Sequence, residues 1–255
     1  MNRRYIAMFK HDVILAKKTL ILSAVGYISM LILSVLVFLS ARYGNIAKSA
    51  SKDDVMPIFR LLMISIGISA SMIPLLCFDN NTLISDIKSG WLKFTYTAPL
   101  SVNEQLRYRY GLKISGLLFS PVFTAIQIGT IVIADGKGLT KTDALIIVFL
   151  YGYLYIMEMM SIPLYIKFKN SDKAGMASML LIMVLMTPVV FLFKEKGDKL
   201  EEISTVNGGV IRFDEMVDLL GINVPLIAVF AIVLIVVSHI ISYICTKKLL
   251  EKKVC

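Results

Sequence analysis

Few residues in this 255-residue chain could carry chemistry, and their placement narrows what that chemistry could be. Glu158 and His239 are ionisable groups inside long apolar blocks. They lie at similar depth, roughly 9–12 Å from one face at about 1.5 Å per helical residue. Intramembrane ionisable groups usually face a bundle interior or a wet cavity and often pair. One reading makes Glu158 and His239 a substrate-path or gating pair. The other satisfies each locally, with Glu158 protonated against a neighbouring Tyr or Ser. Met176, Met179, Met183 and Met186 recur at helical spacing. Methionine packs adaptably, so this stripe suits a path for apolar cargo, a dimer seam or lipid-facing packing. Glu158, His239, Met179 and Met183 are the candidate translocation path.

Enzymatic motifs are missing. There is no G-x-x-x-x-G-K-S/T loop, and Gly136-Lys137-Gly138 reads as a turn. H-E-x-x-H and G-x-S-x-G are absent, and neither His11 nor His239 has a companion at metal-ligand spacing. No catalytic residue, cofactor site or metal site is expected on the chain. Cys77, Cys245 and Cys255 read as free thiols near a reducing compartment, with palmitoylation of the juxtamembrane pair as the alternative.

The elements that position these residues follow from composition. Hydrophobic residues make up 57 % and charged residues 18 %, against about 45–50 % and about 25 % in soluble domains. A spanning helix needs about 20 apolar residues. Six blocks qualify: Leu20–Ala41, Phe59–Phe78, Leu112–Ala134, Ala144–Ile166, Gly175–Phe193 and Asn223–Cys245. The first is too long for a signal-peptide core and reads as an uncleaved span. The expected fold is an all-α integral membrane protein, one transmembrane domain over residues 1–255 with six spans. Pro74, Pro121, Pro163, Pro188 and Pro225 put one proline in each span from the second to the sixth. Membrane bundles tolerate such kinks where neighbours or water compensate.

Orientation follows the basic residues. The N-terminus, the second and fourth connections and the C-terminus together hold seventeen of the 27 Lys and Arg. Nine lie on the opposite side, with Arg60 just inside the second span. Both termini are therefore expected in the cytoplasm. The net charge of +9 reads as positive-inside signal and headgroup contact, not as a nucleic-acid surface.

Outside the spans, Ile6, Phe9, Val13 and Ala16 share one helical face in residues 1–19, opposite Arg3, Arg4, Lys10 and Lys17. This predicts an interfacial helix in the inner headgroup layer, with a flexible basic tail as the alternative. The inner connection 79–111 has a helix stop at Ser89-Gly90, an amphipathic stretch Trp91–Thr97, then Pro99. Ser101-x-x-Glu104 is a capping box that starts a helix running through Arg107 and Arg109 into the third span. The aromatic residues of this segment suit either partner contact or a headgroup belt. The outer connection 194–222 is acidic, with a turn at Asn207-Gly208-Gly209 and a short amphipathic helix expected over Phe213–Leu220.

This arrangement resembles the membrane subunits of type-two ABC exporters. The match is carried by Gly90-Trp91-Leu92-Lys93-Phe94, then Thr97-Ala98-Pro99-Leu100-Ser101 and Glu104. A basic-aromatic pair follows, Arg107-Tyr108 or Arg109-Tyr110, where the family more often has Lys-Tyr. Pro163 with Lys167-Phe168-Lys169 and Lys173-Ala174 is a second match. The resemblance implies a permease of the bacterial cytoplasmic membrane that forms a homo- or heterodimer and works with two copies of a separate ATPase subunit. ATP and Mg would bind that partner. Gly90, Trp91, Phe94, Pro99, Leu100, Ser101, Glu104, Lys167 and Lys169 would contact it, the loop docking as a coupling helix. The cargo would be an amphipathic or hydrophobic peptide, antimicrobial or drug. The rivals are an ion-coupled secondary transporter using Glu158 and an integral-membrane enzyme.

Overall fold

A computed structural model of the chain describes residues 3–44, 52–89, 101–195, 217–218, 221 and 223–254. Its long elements are all α-helices: α1 (Arg3–Tyr43), α2 (Lys52–Ser89), α3 (Val102–Asp135), α4 (Lys141–Phe168), α5 (Ser171–Glu195) and α6 (Val224–Val254). The first five expected spans lie inside α1 to α5, and the sixth, Asn223–Cys245, lies in α6 but for Asn223. Among the described residues, four are long and apolar enough to cross a membrane, over Tyr5–Tyr43, Val102–Asp135, Lys141–Phe168 and Val224–Lys252, and α2 carries a shorter apolar stretch, Met56–Met72.

Local chemistry explains where α3 and α4 start and stop. The expected capping box is formed: Glu104 N–H donates to Ser101 Oγ, and Ser101 N–H donates to Glu104 Oε2 at 2.9 Å. A second box, Thr140 with Asp143, starts α4. Gly136 closes α3 in the left-handed region at φ 73°, which costs glycine little. Lys169 closes α4 at φ 50°, and Asn170 then caps α5 by accepting from the N–H groups of Asp172 and Lys173. Pro121 and Pro163 lie within α3 and α4 as expected. Pro225 instead falls in the first turn of α6, where a missing N–H leaves no helix bond unmade.

The interfacial helix expected over 1–19 is not a separate element. Residues 3–43 form one helix of 41 residues, about 60 Å long and twice the hydrocarbon thickness. Ala16 from the expected apolar face is fully buried, and Asp12 beside it is buried too. Likewise, much of the expected inner loop is helical, since α2 continues to Ser89 and α3 begins at Val102. The starts of α1 and α3 and the ends of α2 and α6 meet at one end of the bundle, here the terminal end. Tyr108 bonds Asp12, Arg109 bonds Asp86, and Tyr110 bonds Thr246 there.

Packing divides the bundle into two halves. In the first, α1, α2 and α3 pack on one another. In the second, α4 packs on α5 and α6. The halves meet closely along α2 and α4, and over a shorter stretch between α3 and α6. Although consecutive in sequence, α3 and α4 do not form a close-packed helix pair among the described residues.

Candidate functional site

One stripe organises α3. Leu106, Tyr110, Lys113, Leu117, Ser120, Thr124, Gln127, Ile131 and Ala134 recur at alternating steps of four and three. All but Leu117 are buried, and Leu117 packs against the core from its edge. Five of these positions are polar. The opposite face, including Leu118, Phe119, Val122 and Ile133, is exposed and apolar. On α6, Ser238, Ser242 and Thr246 are buried while Leu226, Phe230, Val233 and Val237 face outward. In water such helices would be inside out. In lipid, where exposed apolar surface costs nothing and polar groups need internal partners, they are correct.

The polar stripe of α3 meets polar groups from the second half. Lys113, fully buried, pairs its Nζ with Oε1 of Glu158, itself only 4 % exposed. Seven and three positions before Glu158, on the same face of α4, stand Tyr151 and Tyr155. Tyr151 Oη bonds the Ser120 hydroxyl and donates to the Leu117 carbonyl at 2.9 Å. Tyr155 Oη lies 3.2 Å from His239 Nδ1 on α6. Tyr110 Oη reaches Ser242 Oγ at 2.7 Å and Thr246 Oγ1 at 2.9 Å, and its ring stands edge-on to His239 with centroids 5.1 Å apart. Ser242 in turn donates to the Met159 carbonyl. An ammonium, a carboxylate, an imidazole, three phenols and several hydroxyls thus converge where α3, α4 and α6 meet.

Ionic contacts also fix both ends of the bundle. At the far end, Arg60 of α2 is buried. It bonds Asp143 through Nε at 3.0 Å and Nη2 at 2.7 Å, Asp135 through Nη1, and the Gly138 carbonyl at 2.7 Å. That one guanidinium joins α2 to the end of α3 and the start of α4. At the terminal end, Tyr108 Oη donates to Asp12 Oδ2 at 2.8 Å, and Arg109 Nη2 lies 3.1 Å from Asp86 Oδ2. Burial pushes the Asp86 carboxyl above its ordinary range despite the opposing pull of Arg109, and nearby Asp12 adds to the rise.

The expected residues are distributed unevenly over this geometry. Glu158 and His239 belong to the same polar site, but they are not partners: Lys113 takes Glu158, and Tyr155 takes His239. The physical reason is reach, since a long Lys side chain spans the open α3–α4 gap. Met179 and Met183 lie elsewhere, 64 % and 67 % exposed on the outer face of α5. Lys167 and Lys169 are exposed at the α4–α5 turn. Ser101 and Glu104 form the cap of α3, while Gly90, Trp91, Phe94, Pro99 and Leu100 lie outside the described residues, as does most of Phe213–Leu220. Sequence reasoning missed Lys113, Tyr110, Tyr155, Ser242 and Thr246. Lys113 falls inside the boundaries of the third apolar block, Leu112–Ala134, which is the signal that could have found it. No family model, curated protein or solved structure matches the chain.

Proposed function

We propose that this chain is the six-span membrane subunit of an ATP-driven exporter of the type-two ABC class. It moves an amphipathic or hydrophobic solute across a bacterial cytoplasmic membrane as a dimer, using a separate ATPase subunit. The observation that carries this reading is the segment from Gly90 to Glu104. Its sequence, with Trp91 and Pro99-Leu100-Ser101, leads directly into α3, whose first turn is fixed by the Ser101–Glu104 capping box. A rigid helix starting where this segment ends is what a coupling segment needs to convey motion. The far end of α3 reaches Arg60, so one element links the proposed docking site to both polar contacts in the bundle. The ion-coupled alternative draws on Glu158, but that carboxylate is engaged by Lys113.

The test is co-purification of the detergent-solubilised chain with the separate ATPase subunit that this reading requires. The native pair should associate, and Trp91→Ala should weaken the association about thirtyfold while membrane abundance stays unchanged, as for removal of a central aromatic anchor. Unaltered affinity with reduced membrane abundance would instead make Trp91 part of an interfacial belt and sink the coupling role.

A further inference from the structure

We propose that the junction of α1, α2 and α3 within the apolar part of the bundle binds a water molecule, held by Gln127 Oε1. The inference concerns the first half of the bundle and holds whether or not an ATPase is the partner.

The polar stripe of α3 changes partners along its length. Lys113 and Ser120 are met by Glu158 and Tyr151 of α4. Thr124 and Gln127, further along, are met from the first half instead. Thr124 Oγ1 lies 2.7 Å from Ser71 Oγ of α2, and Gln127 Nε2 donates to Ser34 Oγ of α1 at 2.8 Å. All four side chains are buried, Gln127 to 1 % exposure. Opposite Gln127, α2 presents Gly67, where a Cβ would lie 2.3 Å from Cγ and 2.9 Å from Cδ of the glutamine. The amide is thus seated against bare α2 backbone. Among the described residues, Gln127 Oε1 is the buried side-chain polar atom left without a hydrogen-bond partner.

The junction is short of donors. Ser34 spends its hydroxyl proton on the Met30 carbonyl at 2.8 Å, and Ser71 spends its own on the Ile68 carbonyl at 2.8 Å. Thr124 is therefore the donor to Ser71. No hydroxyl proton of these residues remains for Gln127 Oε1, whereas Thr124 Oγ1 keeps accepting capacity. Backbone N–H groups within the helices are engaged in their own ladders, and hydrocarbon offers no donor. A desolvated, unbonded amide oxygen is costly. A water supplies two protons, one for Oε1 and one for Thr124 Oγ1, three positions earlier on the same face. A cation would also satisfy these acceptors, but none of the four side chains is a carboxylate to balance it. Turning the amide over separates the two guests again. Oε1 would then face Ser34 and the NH2 group would need an acceptor, which a water provides and a cation does not.

Infrared spectroscopy of hydrated proteoliposome films tests the site. The chain has two glutamines, Gln105 and Gln127, so a carbon-13 label at the glutamine side-chain carbonyl reports on few groups. A Gln105→Met background leaves Gln127 as the labelled side chain with its own surroundings intact. Its carbonyl should absorb at the hydrogen-bonded frequency. Exchange into oxygen-18 water should shift a water stretching band that is lost in Gln127→Met, an apolar side chain of similar shape. A carbonyl at the free-amide frequency would overturn the proposal. So would a bonded carbonyl with no such water band, which would make a protein group the donor. A carbonyl band that moves when buffer sodium is replaced by choline would put a cation there instead and overturn it too. Where Gln127→Met fails to insert, Thr124→Val takes its place, since removing the second acceptor should shift the same water band, and an unmoved band would count equally against the site.

Discussion

Arg60 and Lys113 are the two buried basic side chains of this bundle among the described residues, and they do different work. Arg60 uses the planar fork of its guanidinium, bonding two carboxylates and the Gly138 carbonyl at once, a geometry lysine cannot reproduce. Removing it strands Asp143, which is 1 % exposed, beside Asp135. Arg60→Met should therefore cost about 3–5 kcal/mol, the range for leaving a buried charge without its partner. Arg60→Lys should keep part of this and fall between. Thermal unfolding of the purified protein in one detergent orders the three; equal stability of Arg60→Met and the parent would rule out the clamp. Both residues were partly legible, since each falls just inside an expected apolar block. What the pattern could not supply was the partner. Side-chain periodicity says which face a residue occupies but not which element stands opposite, so the sequence offers Glu158 either His239 at equal depth or a neighbouring Tyr or Ser, and not its cation Lys113.

Helices, by contrast, were read well wherever backbone chemistry is local. The capping box at Ser101 and the run from it into the third span needed only the identities of neighbouring residues. The continuity of α1 did not follow from them. Residues 1–19 look amphipathic whether their apolar face meets headgroups or other helices, and here Ala16 is buried against protein. Glycines give a sharp test at this scale. A Cβ at Gly111 of α3 would meet nothing within 4 Å, so Gly111→Ala should stabilise by about 0.5–1 kcal/mol by restricting the unfolded chain. A Cβ at Gly67 of α2 would lie 2.3 Å from Cγ of Gln127, and Gly67→Ala should cost about 1–3 kcal/mol through overpacking. The same unfolding measurement checks both, and matching signs for the two would contradict the α2–α3 packing. The terminal-end cluster adds a pH dependence. Because burial raises the Asp86 carboxyl, the folded state holds its proton more tightly than the unfolded chain. The associated stability is complete below the unfolded carboxylate range and is lost as pH rises through the folded value. Asp86→Asn should flatten this part of the stability curve, and an unchanged slope would place the titration elsewhere.

At the scale of the whole molecule, the helices turn polar stripes inward and aliphatic faces outward, and this inversion makes a membrane their natural solvent. Orientation across that membrane rests on the basic residues, and burial alters their weights. Lys113 is enclosed and Arg60 is consumed by carboxylates, so neither can contribute to a loop's affinity for the inner face. Subtracting them leaves the bias intact. Lys10, Lys17, Lys18 and Arg107 remain exposed at the terminal end, joined by Lys167, Lys169, Lys248 and Lys252. Retention of short basic segments on the cytoplasmic side follows from such charges within 15–20 residues of a span, and acidic residues weigh little against them. The terminal end should therefore face the cytoplasm. A reporter fused after Cys255 should register as cytoplasmic, and one inserted near Gly208 as external. The first arm tests the charge argument directly, because α6 delivers the C-terminus to the same end as the starts of α1 and α3. The second tests the number of crossings, since an odd count between Gly208 and Cys255 is required for the two reporters to disagree. Two cytoplasmic signals would remove a span from the six, and an external C-terminus would invert the orientation and with it the proposed site of ATPase docking.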